Sequence, residues 1–380
     1  MFLALRELSF AKGRFSLMGA VIALIAVLTV ILSGLSSGLV NDGVSGLKAM
    51  PVSAFAFDEG TKTDNAFSRS VIEQKQVDAW SEQPGIEQAT PMGSSMMNAI
   101  TDDGTQVDIA VFGVDPTSFL APEVSNGKQL GDIDGIVVSE TMRDAGVKIG
   151  TVLTLDRVDT ELTVIGFAEG QATFGHVDIA YAPLEIWQLL AAGQAPTGKP
   201  TQQDLDQLAF DYSSVVALKY TDGATVDLAA GDIVANTTSK TLAESFNASP
   251  GYEAETMTLS MIQVFLYAIC ALVVGAFFSV WTIQRKQEIA VLRAIGAPVR
   301  YLLRDGVTQA ALLLVIFTAL GIGAGLGLGA AMPAGMPFAL EGGPIAIAAI
   351  LTIVLGLIGA VISIIRIARI DPLTALGGNR

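Results

Sequence analysis

Four stretches of nearly unbroken apolar residues punctuate this chain, at 17–40, 259–281, 309–332 and 345–365, and none contains Asp, Glu, Lys or Arg. Each approaches the ~20 residues a helix needs to cross the ~30 Å hydrocarbon core of a bilayer. Buried helices of a soluble domain are rarely so long and so free of charge together. The pattern therefore predicts membrane-spanning helices at 15–40, 259–281, 309–332 and 345–365. Between the first two spans the periodicity changes. Short strand-like runs occupy 106–114, 162–168, 176–181 and 214–218. Helical spacing, a candidate Ser cap or a leading proline predicts helices at 139–147, 183–191 and 237–247. The expected fold is an α-helical membrane protein with four transmembrane helices and a large α+β extracytoplasmic domain at 41–258. A polar stretch containing Pro and Gly, 191–204, suggests two lobes within that domain.

Charge orients these elements. Residues 41–258 hold 11 Lys/Arg against 32 Asp/Glu, a net of −21, whereas the rest of the chain carries +6. Basic residues near span ends mark the cytoplasmic side. The N-terminal 1–14, the segment 282–308 and the tail 366–380 are thus expected inside, and the acidic domain outside, at the plasma or inner membrane. Residues 2–12 place Phe2, Leu5 and Leu8 at three-residue spacing, as in an amphipathic helix lying on the inner surface. The first apolar run exceeds a signal-peptide core and lacks an A-x-A exit, so it reads as an anchor. The single cysteine, Cys270, lies inside the second span. No disulfide within the chain can then form, and the outer domain depends on packing.

Several chemistries find no residues here. No G-x-x-x-x-G-K-[ST] loop offers an ATP site, and no H-E-x-x-H or cysteine pair offers a metal site. One histidine builds no His-rich centre, and spans without ionisable groups argue against a proton relay. No catalytic residue, metal, intrinsic cofactor or nucleic-acid partner is expected. Energy has to enter from another subunit.

Two local patterns bear on mechanism. Gly321, Gly325 and Gly329 repeat every four residues in the third span, a ridge that lets membrane helices approach closely. Pro333 and Pro337 then end that helix, leaving 338–344 as a short outer turn. In the inner segment, Ile289, Leu292 and Ile295 give one apolar helical face, with Arg285, Lys286, Glu288 and Arg293 around it and Gly296 and Pro298 closing it. Such a helix, fixed to the foot of the second span, can receive a push from a cytoplasmic partner; the alternative is a segment resting on lipid.

EIAVLRAIGAP (288–298) resembles the inner-loop signature of the FtsX-like, or MacB-like, ABC-transporter permeases. RIARIDPLTAL (366–376) is similar to their C-terminal tail, with Arg369, Asp371 and Pro372 matching its R-x-[DE]-P ending. The order of one span, a large outer domain and three further spans also fits. The resemblance implies two copies of this chain with two copies of a separate ATPase, which holds the ATP and Mg. It implies that helix 286–296 docks in a groove of that ATPase, with Arg285, Lys286, Glu288, Leu292, Arg293 and Gly296 as coupling residues. The chain lacks the fused nucleotide-binding domain of MacB itself, and has four spans rather than the ten of the peptide-antibiotic permeases. In layout it is closest to the HrtB-type haem exporters.

That likeness makes haem the leading cargo. Met50, Glu253, Glu255, Met257, Met261 and His176 are the candidate contacts, since thioether, carboxylate and imidazole can all approach haem iron. Ordinary packing explains methionines equally well, including Met92, Met96 and Met97. The acidic domain repels propionates at long range, so Arg69, Lys75 or Arg143 would have to supply attraction. Two classes stay open: an exporter of haem or of another drug, peptide, glycolipid or lipoprotein, and a transmembrane transmitter that regulates an outer protein such as a cell-wall hydrolase.

Overall fold

A computed structural model describes residues 12–284, 291, 295, 298–333 and 336–368. It forms two compact units, Met1–Leu39 with Thr256–Arg380, and Val40–Glu255. Helices of two turns or more are α1 (Lys12–Ala49), α2 (Gln74–Ser81), α3 (Leu184–Ala191), α4 (Leu228–Ala235), α5 (Tyr252–Gln284), α6 (Val299–Ala330) and α7 (Gly342–Ala368).

Four of these, α1, α5, α6 and α7, are long and apolar enough to cross a membrane, over Phe15–Ala49, Tyr252–Gln284, Leu303–Ala330 and Gly342–Ile365. At about 1.5 Å per residue, the first two exceed a ~30 Å core by several turns. They therefore run past the expected limits at 40 and 259. The glycine ridge of α6 performs as its spacing suggests. A Cβ at Gly321 would stand 2.3 Å from the Ala23 carbonyl oxygen, and one at Gly325 would stand 2.8 Å from Val30 Cβ, so α1 and α6 meet closely. On α7, a Cβ at Gly359 would stand 2.2 Å from the Ala271 carbonyl oxygen of α5. The segment after Pro337 folds back on α1: the Ala339 N–H donates to the Gly34 carbonyl at 3.0 Å, and the Phe338 ring fills the space a side chain at Gly34 would take.

The outer unit is built on β1 (Ala54–Asp58), β2 (Ile86–Thr101), β3 (Gln106–Val114), β4 (Val124–Gly127), β5 (Gly135–Val138), β6 (Val152–Leu155), β7 (Glu161–Ala168), β8 (Thr173–Phe174), β9 (Val177–Pro183), β10 (Val215–Tyr220) and β11 (Thr237–Thr241). They pair in the order β11-β1-β10-β2-β3-β9-β5-β7-β4, with β6 beside β2 and β7, and β8 beside β9. The long β2 links the two halves of the sheet. Its first half pairs with β10 and its second with β3. One lobe buries Trp80, Ile72 and Val77 against β1 and β10, while the other packs α3 on β3 and β9. One core, with Phe55, Phe57, Met92, Phe112 and Tyr181, runs across both halves, so residues 191–204 do not divide the domain into separate units.

Strand 106–114 lies where its pattern places it. Two helices do not. Only a short 3₁₀ turn, Glu140–Arg143, forms within 139–147. Residues 237–247 begin as strand β11, paired antiparallel to β1; the β-branched Thr-Thr-Ser-Lys-Thr run favours an extended edge carrying a lysine, and helix starts only at Leu242 behind the Thr241–Glu244 capping box.

A glycine pair positions the second lobe's tryptophan. Gly93 and Gly113 are cross-strand partners, and Trp187 of α3 lies on both: a Cβ at Gly93 would fall 2.0 Å from its indole. Its Nε1–H donates to Ser95 Oγ at 2.9 Å. Gly93→Val should displace the indole and cost about 3 kcal/mol, measured as a lower unfolding midpoint with quenched tryptophan emission; an unchanged midpoint would refute this packing.

Candidate functional site

The end of α1 is where sequence, backbone and charge converge. In Asp42-Gly43-Val44-Ser45-Gly46 the helix is interrupted at Val44, with φ −145° and ψ 17°. The break frees the Gly43 carbonyl, which accepts from the Gly175 N–H at 2.8 Å and from Ser249 Oγ at 3.2 Å. Two residues on, Ser45 Oγ meets Thr173 Oγ1 at 2.6 Å and accepts the Thr173 N–H at 2.9 Å. Gly46 adds no side chain, which leaves room for Ile179. This stretch of α1 is zipped along the β8–β9 hairpin.

The hairpin turn is Gly175-His176, both with positive φ, 58° and 66°. Two left-handed residues in a two-residue loop match the turn whose twist suits antiparallel strands. Histidine stands here in the left-handed region, which it enters more readily than most non-glycine residues. His176 thus lies in the turn, and the strand expected from 176 begins at Val177. Its Nδ1 is 3.0 Å from Asp42 Oδ2, and its Nε2 is 3.0 and 3.2 Å from the two Glu255 oxygens. The other Asp42 oxygen accepts from Gln171 Nε2 at 3.2 Å. A carboxylate is acceptor-only, so an imidazole holding one on each nitrogen is best satisfied as the two-donor cation. Burial opposes that charge, but the Asp42 hydrogen bond and the Glu255 charge outweigh it and raise the His176 pKa above its ordinary value. The result is a clamp that joins α1, the hairpin and the start of α5 within the outer unit.

The clamp is anchored in the core. Phe174, beside the turn, meets Phe67 and Phe112 edge-on at 5.3 and 5.2 Å. Phe67 in turn packs on Phe55 and Phe57 of β1, and Phe112 on Tyr181 of β9. Such edge-to-face pairs add roughly 0.5–1.5 kcal/mol each beyond burial.

The other expected residues are dispersed. Met50 is buried in the outer unit. Glu253 is exposed, while Glu255 is engaged by His176. Met257 and Met261, in the helical unit, are exposed at 72% and 53%. Met92 is fully buried in the core, whereas Met96 is exposed and its Cε reaches Gly175. Arg285, Lys286, Glu288, Leu292, Arg293, Gly296, Arg369, Asp371 and Pro372 lie outside the described residues. No cluster of three metal-binding side chains occurs among the described residues. Sequence reading singled out His176 and Glu255 but missed Asp42; a lone aspartate followed by glycine at the end of a charge-free apolar run was its signal.

Residues 260–372 match the family described as FtsX-like permease C-terminal. The likeness to that permease domain is confined to those residues. Over its whole length it is similar to curated permeases. A protein named putative hemin transport system permease protein HrtB, from Staphylococcus haemolyticus, is 26% identical over 376 residues, covering 99% of each chain. An uncharacterized ABC transporter permease of Mycobacterium tuberculosis is 25% identical over 396 residues, covering 100% of this chain and 99% of that one. Among solved structures, the periplasmic region of MacB from Actinobacillus actinomycetemcomitans aligns at a TM-score of 0.36 and 14% identity, covering 51% of this chain and 91% of that one. With its four long apolar helices, the chain is a membrane protein whose sheet domain lies between the first helix and the rest.

Proposed function

We propose that this chain is the membrane subunit of an ABC exporter, two copies working with two copies of a separate cytoplasmic ATPase, and that its leading cargo is haem taken from the membrane. The observation that carries the reading is the end-to-end similarity to permeases named for hemin transport. The charge asymmetry supports placing both termini and residues 282–308 in the cytoplasm of a cell whose plasma or inner membrane holds the chain. There the coupling segment would receive the ATPase stroke through Glu288 and Gly296. The His176 clamp gives that stroke an outlet, because motion of the outer ends of α1 and α5 is tied through it to the sheet.

The test is a haemin titration of the chain with its cognate ATPase in nanodiscs, following the Soret band and the hydrolysis rate together. A saturable shift with stimulated hydrolysis is expected, weakened when Met257→Ala and Met261→Ala are combined. No shift and no stimulation would remove haem. The second reading, a transmitter that acts on an outer-surface protein, draws support from the same clamp and its aromatic anchor, which convey motion whether or not a molecule crosses.

A further inference from the structure

A cavity of about 380 Å³ lies in the outer unit where α1 ends. Its lining includes apolar Met50, Phe119 and Leu120, the phenol of Tyr181, and the carboxylates Glu123 and Glu169, with no Lys, Arg or His. The size falls in the range of small-molecule sites. The walls belong to the domain core: Met50 and Leu120 are 7% and 2% exposed. Loop 115–121 is held in shape by the Ser118 N–H on the Asp115 carbonyl and the Ala121 N–H on the Ser118 carbonyl.

Two polar features point to an occupant. Tyr181, on β9, is 5% exposed, yet its hydroxyl has no hydrogen-bond partner among the described residues. The hydroxyl is not among the fully enclosed unpaired polar atoms, so it opens onto the cavity and presents its O–H to whatever fills it. Burial also pushes the phenol upward, so at neutral pH it is a donor in need of an acceptor. Glu123 and Glu169 are both exposed and are brought side by side by the Glu169 N–H donating to the Glu123 carbonyl at 2.9 Å. Neither carboxylate has an ion-pair partner among the described residues.

We propose that this cavity binds an apolar organic cation bearing an oxygen acceptor, which takes the Tyr181 hydroxyl, while Glu123 and Glu169 hold the positive charge. The charge is the wrong sign for a porphyrin's propionates, so this proposal stands or falls independently of the haem reading, although Met50 figures in both. A ligand there would rest against Met50, the residue that follows the last turn of α1.

The experiment uses the full chain in phosphatidylcholine nanodiscs, with berberine, a fluorescent aromatic cation carrying ether oxygens, as probe and anionic anilinonaphthalene sulfonate as its counterpart. Saturable berberine binding is expected, with affinity lowered about fivefold by Tyr181→Phe and about tenfold by Glu123→Gln with Glu169→Gln. Anilinonaphthalene sulfonate should not compete. Tyr181→Phe keeps the ring and removes only an unpartnered hydroxyl, so its unfolding midpoint should match the parent. Should that variant misfold, the exposed carboxylate pair still decides the matter. Absence of saturable berberine binding, equal affinity in all variants, or competition by the anion would overturn the proposal.

Discussion

Gly321→Val should strongly destabilise the folded helical unit, whereas Gly323→Val on the same helix should leave it intact. The two substitutions are chemically identical and sit two residues apart on α6, so hydrophobicity and helix propensity cancel between them. What differs is the neighbour. A Cβ at Gly321 meets the Ala23 carbonyl at 2.3 Å and Ala26 Cβ at 2.6 Å, while at Gly323 nothing lies within 4 Å. Backbone cannot swing aside as a side-chain tip can, so α1 and α6 must separate and lose the packing between them. The cost should reach about 3 kcal/mol or more, the upper range for overpacking. Gly359→Val, against the Ala271 carbonyl at 2.2 Å, should do the same between α7 and α5. Thermal unfolding and size-exclusion profiles of the detergent-solubilised chain read the result. Equal midpoints for the valines at 321 and 323 would show that this ridge is not a helix contact.

Raising the pH should loosen the His176 clamp. The Asp42 and Glu255 contacts hold its pKa above the ordinary value despite burial. A raised folded value means the stabilising contribution is fully present below the unfolded imidazole pKa, near 6.5, and is lost as pH climbs through the folded value. The chain has one histidine, so its ring proton gives a single unambiguous NMR titration. The midpoint should exceed the ordinary imidazole value. Asp42→Asn combined with Glu255→Gln should drop it below the parent's, because burial then acts unopposed. Stimulated ATP hydrolysis should fall in the same variant, since the tie between α1, α5 and the sheet is cut. A parental midpoint at or below the ordinary value would disprove the charged clamp.

These features differ in how openly the sequence displays them. The spans are legible because membrane burial demands continuous apolar runs, and β3 because a strand's period matches its pattern from Gln106 to Val114. The Gly321 ridge is visible as spacing, though which helix it meets is not. β11 escapes detection because Thr237–Thr241 has no apolar face; its structure comes from pairing with β1. The clamp is harder still. His176 and Asp42 are 134 residues apart, and only the left-handed turn and the break at Val44 bring them together. Tyr181 reads as an ordinary strand residue, and its unpartnered hydroxyl exists only in three dimensions.

The sheet's connectivity also bears on biogenesis. Ala54 of β1 pairs with Leu218 of β10 and Thr241 of β11, so the first strand made is among the last to find its neighbours. Long-range pairing of this kind is slow and leaves edges open to aggregation. During synthesis, Ala-Phe-Ala-Phe emerges behind α1 and waits, hydrophobic and unpaired, for some 160 residues to follow. The lobe closes just before α5 is made.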